Sequence, residues 1–381
     1  MRIAFVSSLV PETAPRSGFA IANRAVCDGL TALGHDVVAI GARQPKDSAP
    51  REGSVVLAEL ELENAAAGSA RKIEWAARAF AGRLPFAAAK LRKIGADTVR
   101  AALTEAEPDA VVVNSYQMAA AFPFVTERPF VYLSHNVEAR MAAGNVRTAG
   151  SVLERFMYRR DARLLDGLEG DLVRRATHVW CLSEEDASAF DRSGEEVTIL
   201  PLLLPDIAPV AFPARAFDAV MIGTWTWEAN AVGLRWFVDR ILPLLPMDAR
   251  IAVAGTVPAG LDLSDERLVV LGRVNDAAAF LAQGHVVPLV ARGGSGVQLK
   301  SIEAFQRGRA SVATRSSVRG IADIPTNCAV ADEPDAFAAA LIEAAQRGRA
   351  GERLDVDPAP WIERQRLALR AGLQAGLEGI G

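Results

Sequence analysis

Short apolar, β-branched runs alternate along this chain with longer stretches of helical spacing, and the alternation stops once and begins again. In the first half the runs are Arg2–Ser7, Asp36–Ile40, Ala110–Asn114, Phe130–Ser134 and His178–Leu182. Each reads as a strand buried on both faces, since neither side of its pleat is consistently polar. The stretches between them have helical spacing, most clearly Ala20–Leu33 after the Gly18 turn. Strand and helix in alternation imply a parallel sheet covered on both faces. The interruption is PLLLPDIAPVAFP, with prolines at 201, 205, 209 and 213. Proline at that density stops helices and central strands and leaves a stiff connector. Beyond it the pattern restarts, with strands expected at Phe217–Gly223, Arg250–Ala254, Leu268–Leu271, His285–Leu289 and Ala310–Ala313. Helices are expected over Asn230–Leu242 and Lys300–Arg307.

The expected fold is therefore α/β, with two Rossmann-like parallel-sheet domains facing a central cleft. Residues 1–205 form the first domain and 206–361 the second, and a last helix, 362–381, packs back across the first. A chain of 381 residues suits two domains of ordinary size. The opening MRIAFVSSLVP reads as a first strand, because a signal peptide carries a longer apolar run and a small-residue cleavage site. Three scattered cysteines, Cys27, Cys181 and Cys328, argue against a disulfide framework or zinc cluster. These features point to the cytoplasm. A net charge of −4 offers no general attraction to nucleic acid, so no nucleic-acid partner is expected.

In open α/β sheets ligands sit beyond the carboxyl ends of the strands, so the loops after strands are where chemistry belongs. The richest is ARGGSGVQLKSIEAFQRGRASVAT, Ala291–Thr314. Its glycines, Gly293, Gly294 and Gly296, let backbone amides approach an anion, and the helix that follows adds its positive end. Lys300 supplies a full charge for a diphosphate, and Glu303, one turn on, can accept hydrogen bonds from ribose hydroxyls.

This block resembles the donor-site signature of the retaining family 4 glycosyltransferases, which have the GT-B fold. GGSGVQLKSIEA followed by GRASVAT matches a small-residue turn, a lysine, a helix with a glutamate, and G-x-x-V-V-x-T. The resemblance implies that Lys300 binds the donor diphosphate and Glu303 the ribose, with Gly294, Ser295, Gly296 and Val297 around the phosphate and sugar. Ser295 departs from the family, where many members place a glutamate that contacts the donor sugar. SGFAIANRAVCDGLTALGHDVVAIG resembles the family's N-terminal glycine loop, and implies that Gly18 approaches the donor or acceptor. SHNVEARM places His135 where the family has a histidine beside the transferred sugar, with Asn136 and Glu138 as companions. VWCLSEEDASAF matches a strand–Ser–x–x–Asp–helix in which Ser183 serves as a helix cap. FDAVMIGTWTWEANAVGLRWF resembles the start of the second domain, which puts Gly223 and Thr224, with Trp225, Trp227 and Asn230, near the donor. LGRVND supplies Arg273 and Val274 at the turn that cradles the nucleobase in the family.

The resemblance implies retention of anomeric configuration, with His135 and Lys300 as the catalytic residues. No carboxylate pair of the glycosidase kind is evident. Asp355-Val356-Asp357 has the letters of a metal motif but lies away from any donor loop and reads as surface, so no metal or other cofactor is expected. The expected partners are a nucleotide-sugar donor and a glycan or lipid-linked acceptor. Residues 69–100 hold eight basic and two acidic residues interleaved with Trp75, Phe80, Leu84 and Phe86. Such a basic amphipathic segment suits peripheral contact with an anionic membrane, at the inner face of the plasma membrane. Two alternatives stay open at this level: a GT-B nucleotide-sugar epimerase or hydrolase, and a catalytically reduced sugar-nucleotide-binding protein. A dinucleotide oxidoreductase is disfavoured, because no G-x-G-x-x-G follows the first strand.

Overall fold

The structure, a computed structural model, describes residues 1–15, 17–63, 67–190, 197–205, 215–258, 260–293, 296–378 and 380. The chain divides into two compact units: Met1–Leu202 with Arg366–Gly381, and Leu203–Gln365. Pro209 and Pro213 of the connector lie outside the described residues.

Unit 1 holds strands β1 (Arg2–Leu9), β2 (Asp36–Arg43), β3 (Ser54–Glu59), β4 (Ala110–Asn114), β5 (Phe130–Ser134), β6 (His178–Cys181) and β7 (Val197–Ile199). They pair in the order β3-β2-β1-β4-β5-β6-β7, every pair parallel. Its helices are α1 (Gly18–Ala32), α2 (Ser69–Ala81), α3 (Phe86–Leu91), α4 (Ala96–Ala106), α5 (Tyr116–Ala121), α6 (Glu138–Thr148), α7 (Val152–Arg175) and α8 (Glu184–Phe190). β4, β5 and β6 are buried along their whole length, which is why uninterrupted apolar runs foretell them. Val6, Val113, Tyr132 and Val179 share one cluster with Phe122 and Leu172. Each such side chain contributes about 1.5–3 kcal/mol on burial. α1 begins at Ser17, whose Oγ accepts from Ala20 N, and stops at Gly34, where φ of +85° ends the helix.

Unit 2 holds β8 (Phe217–Ile222), β9 (Ile251–Ala254), β10 (Leu268–Gly272), β11 (Gly284–Leu289), β12 (Ser311–Ala313) and β13 (Cys328–Val330), in the order β10-β9-β8-β11-β12-β13. These pairs too are parallel. Its helices are α9 (Glu228–Trp236), α10 (Ala277–Leu281), α11 (Leu299–Gln306) and α12 (Pro334–Arg349). The single helix expected over Asn230–Leu242 is broken: α9 passes into a π turn over Phe237–Ile241 and a 3-10 turn at Leu242–Leu244. Pro243 explains the change, since its ring excludes a regular helical bond in that turn. The last helix, α13 (Ala359–Leu377), belongs to both units. In unit 2 Trp361 packs edge-on against Phe305 and donates to Asp323 O. In unit 1 Gly372 O accepts from Trp180 Nε1, and Leu373 lies over Gly29.

Strands β3, β7 and β13 escape the sequence pattern. β3 is a partly exposed strand at the sheet edge, and β7 and β13 have three residues each, so none carries a buried apolar run.

The surface expected for Asp355-Val356-Asp357 holds for Val356 and Asp357 but fails at the first residue. Asp355 is not at the surface: its side chain is 3% exposed and pairs with both Arg309 and Arg215. Its other oxygen accepts from Ala310 N at 3.1 Å. The same arginines reach Gly284 O, so Asp355 ties together the amino ends of β11 and β12. Burial pushes the Arg309 guanidinium down to about 10. The buried Arg309 needs a buried anion, and Asp355 supplies it while also pairing with the partly exposed Arg215.

The topology also says where to look for a site. In each sheet the strand order reverses once, between β1 and β4 in unit 1 and between β8 and β11 in unit 2. Neighbouring crossovers leave in opposite directions there and open a crevice at the carboxyl ends.

Candidate active site

At the β1/β4 switch point the chain places Ser7, Asn114 and His135, the last just after β5. Asn23 of α1 reaches into the same spot. Asn23 Nδ2 donates to Leu9 O at 3.1 Å, which leaves its Oδ1 to accept from Asn114 Nδ2 at 2.7 Å. Asn114 Nδ2 also donates to Ser7 Oγ at 2.8 Å. Asn114 Oδ1 must then face His135 Nε2, 2.7 Å away. A carbonyl oxygen accepts only, so His135 carries its proton on Nε2 and presents a bare lone pair on Nδ1. Burial holds the His135 ring down at about 4, so it is neutral at physiological pH. Phe19 lies against it, ring centroids 4.7 Å apart.

These assignments make a direct forecast. In protein labelled with 15N-histidine, His135 should show the Nε2–H tautomer and hold it unchanged from about pH 5 to 8. An Nδ1–H signal, or a titration inside that range, would contradict the chain of bonds from Leu9 O.

Asn136 is half-buried, and Ser134 Oγ donates to its carbonyl at 2.8 Å. Glu138 opens α6 but is not what caps it. Glu169 of α7 accepts from the amides of Glu138 and Ala139, at 2.9 and 2.8 Å. Burial raises both carboxyls, to about 7. Ser183 caps α8 and donates to Asp186 Oδ2 at 2.6 Å. Gly18 is the exposed first residue of α1. Phe19 also lines a solvent-open pocket with Ser8, Gln44, Lys90 and Gln117.

At the β8/β11 switch point, α11 delivers Lys300 into a pocket it shares with Trp225, Asn230, Gln298, Ser301 and Glu303. Lys300 Nζ donates to Asn230 Oδ1 at 2.8 Å and sits 4.7 Å from the centre of the Trp225 ring. Asn230 Nδ2 in turn donates to Thr224 O, and Trp225 Nε1 to Ala254 O. The ammonium therefore has a hydrogen bond and a π face but no carboxylate among these contacts, and burial lowers it to about 8. Gly223 makes room for it, since a Cβ there would stand 2.7 Å from Nζ. Gly255, at φ +105°, is equally constrained, as its Cβ would meet Gly223 O at 1.8 Å.

Gly296 adopts φ +69° and its carbonyl accepts from Arg319 Nε at 3.1 Å. Val297 is half-buried, while Gly294 and Ser295 lie outside the described residues. Glu303 Oε1 is held by Arg307, at 3.1 Å, which leaves Oε2 for another donor. Arg273 and Val274 follow β10 at the same carboxyl edge but do not line the Lys300 pocket.

The supporting hydroxyls were not anticipated. Ser317 Oγ donates to Leu289 O and accepts from Ala291 N, Ser301 Oγ donates to Ser317 O, and Thr314 Oγ1 bonds Ala291 O. They tie the end of β11 to the start of α11 and so fix the direction from which Lys300 enters. Asn114 and Ser7 left one trace in the sequence, a polar residue ending an apolar strand.

Two α/β units, each with its polar site at a parallel-sheet switch point, define the GT-B class of enzymes. The glycosyl transferase 4-like domain model matches residues 17–202, and the model of glycosyl transferases group 1 matches residues 216–347. The chain belongs to the group 1 glycosyltransferases. Solved structures agree on the fold. The sucrose-phosphate synthase of Thermosynechococcus elongatus is 18% identical, with 99% of this chain and 96% of that one covered at a TM-score of 0.58. The Anabaena protein HepE, solved with UDP and glucose, is 14% identical over 99% of both chains at 0.57. The catalytic domain of Arabidopsis thaliana starch synthase IV, bound to ADP and acarbose, is 11% identical over 99% of this chain and 98% of that one at 0.59. A search of the curated proteins finds no match.

Proposed function

We propose that this glycosyltransferase retains anomeric configuration and moves a sugar from a nucleoside-diphosphate sugar to a glycan or lipid-linked acceptor, in cell-envelope or exopolysaccharide synthesis. The observation that carries the donor half is Lys300, a half-buried ammonium at the head of α11 with no carboxylate among its described contacts. A diphosphate there would gain a charge-assisted bond and relieve the cost of burying the cation. Glu303 Oε2 is placed to accept from ribose hydroxyls, and the Gly296–Val297 backbone lies beside the phosphates. His135 accepts a hydrogen bond from a sugar hydroxyl through Nδ1. The pocket beside Phe19 takes the acceptor.

In the proposed reaction the bond from the anomeric carbon to the diphosphate oxygen breaks as the acceptor oxygen bonds to that carbon on the same face. The acceptor's proton passes to the departing phosphate oxygen. The protein positions both substrates and stabilises the charge that grows on the phosphate, a task for Lys300 rather than for a metal. On this reading the enzyme works in the cytoplasm, against the inner face of the plasma membrane. Among the described residues no helix is long and apolar enough to cross a membrane.

Titration calorimetry with UDP, GDP, ADP, TDP and NAD is the first test. One nucleoside diphosphate should bind, and NMR of the glycosylated product should show the donor's anomeric configuration. Binding by NAD alone, or by none of them, defeats the reading. A modified or hydrolysed sugar formed without any acceptor would favour the epimerase or hydrolase alternative.

A further inference from the structure

The turn that carries His135 and Asn136 is held from behind by two acids that no step of the proposed transfer uses. Val137 N donates to Asp186 Oδ1 at 3.2 Å, Glu138 N to Glu169 Oε1 at 2.9 Å and Ala139 N to Glu169 Oε2 at 2.8 Å. Three consecutive amides of one turn thus end on side chains from other helices, Glu169 from α7 and Asp186 from α8. Ser183 fixes Asp186, its Oγ donating to Oδ2 at 2.6 Å. Glu138 holds the turn from the other side, since its carboxylate takes a hydrogen bond from the Asn136 side chain.

Each oxygen of Glu169 takes a separate N–H. Only an ionised carboxylate offers both as full acceptors. A protonated acid gives one oxygen to its proton, and a side-chain amide would set an N–H against an N–H. The two backbone amides belong to the first turn of α6, whose unpaired N–H groups also favour a negative charge. The surroundings work against that charge. Glu169 is 2% exposed. Glu138 of α6 and Asp186 of α8 face it with like charge, and the buried Tyr116 of α5, Tyr132 of β5 and Cys181 of β6 complete its setting. Burial above all, with those two acids beside it, pushes its carboxyl up to about 7. Geometry asks for the charged form, and the setting makes that form easy to lose in mild acid.

We propose that Glu169 is a positioning residue, and that only its charged form holds the turn from His135 to Ala139 where the donor sugar is received. The proposal rests on the donor reading given above. Above about pH 7 the clamp is closed. As pH falls through that value Glu169 takes up a proton, one of its two amide bonds is lost, and the turn loosens. His135 is not the source of this loss, because its ring stays neutral down to about 4 and keeps its bond to Asn114. Glu169 touches no substrate in this scheme, and its effect passes through the backbone of the turn.

The first measurement needs no ligand. In 15N-labelled full-length protein the amide resonances of Glu138 and Ala139 should shift together between pH 8 and 6, with a midpoint of about 7. In Glu169→Gln the Ala139 shift should vanish. Any change left at Glu138 should move to lower pH, because its carboxyl has lost a negative neighbour. The second measurement is titration calorimetry with UDP, GDP, ADP and TDP, each beside UDP-glucose, GDP-mannose, ADP-glucose and TDP-glucose. At pH 8 Glu169→Gln should bind the bare diphosphate like wild type and lose about tenfold on its sugar. At pH 6 the two proteins should bind the sugar alike, since wild type then lacks the charge as well. A residue with a merely structural role would leave the variant's deficit equal at both pH values, and that result overturns the proposal. So does the absence of any deficit, or a wild type whose Ala139 amide does not titrate, which decides the matter even if the variant fails to fold. If wild type binds no diphosphate at all, it is the donor reading that has failed, and the role of the turn falls with it whatever the amides show.

Discussion

Lys300→Met should abolish measurable donor binding and at the same time raise the melting temperature of the ligand-free protein. Losing a buried charged contact to a diphosphate weakens binding by about 10²–10³-fold. Stability should move the other way. Folding takes the Lys300 ammonium from its ordinary 10.5 down to about 8, because burial disfavours the charged form. A lysine depressed on folding destabilises the native state fully below pH 8, where it is charged both folded and unfolded. That penalty shrinks as pH rises from 8 and is gone above 10.5. Met keeps the length and the contact with Trp225 without the charge. Its advantage should therefore be largest at neutral pH, about 2–4 °C for each kcal/mol recovered, and disappear in strong alkali. Thermal melts of both proteins from pH 6 to 11, with and without nucleotide, read both effects. A variant that is less stable at pH 7, or that still binds nucleotide normally, would remove Lys300 from the donor site.

Asp355→Ala should be the most damaging single change in unit 2, although Asp355 does not line the Lys300 pocket. Removing one partner of a buried ion pair leaves its counter-charges stranded, at a cost of about 3–5 kcal/mol. Here two arginines are stranded at once, Arg309 and Arg215, and the amino ends of β11 and β12 lose their tie. Calorimetric unfolding should show the transition lowered by roughly ten degrees or more. Asp355→Asn, which keeps an acceptor for the Ala310 amide, should lose less. Below its melting temperature Asp355→Ala should still bind donor, and manganese should not restore what it loses. Rescue by a divalent cation would instead make Asp355-Val356-Asp357 the metal motif that its letters suggest.

The strands at the centre of each sheet were legible because local sequence specifies them. Ala110–Asn114 and Phe130–Ser134 match the expected bounds residue for residue, since a strand buried on both faces is apolar throughout. Edge strands β3 and β13 meet solvent and carry no such run. The position of Lys300 was legible for a similar reason: a glycine turn followed by a helix places the lysine at its first turn whatever surrounds it. The turn's own residues Gly294 and Ser295 lie outside the described residues, and their roles stay proposals.

What the sequence determined by itself is periodicity: which segments are strands, which are helices, and that the alternation occurs twice. What tertiary structure decided is company. The protonation of His135 depends on Asn114 and Asn23, which are 21 and 112 positions away in the chain. The depressed Lys300 depends on burial, in a pocket lined by Trp225 and Asn230 from earlier in the chain. Asp355 looks like surface until Arg215 arrives from 140 residues upstream, and Lys90 looks solvated until Trp75 and Leu62 close around it. A charge or a tautomer is set by the dielectric and the partners around it, and those exist only once the sheets have formed.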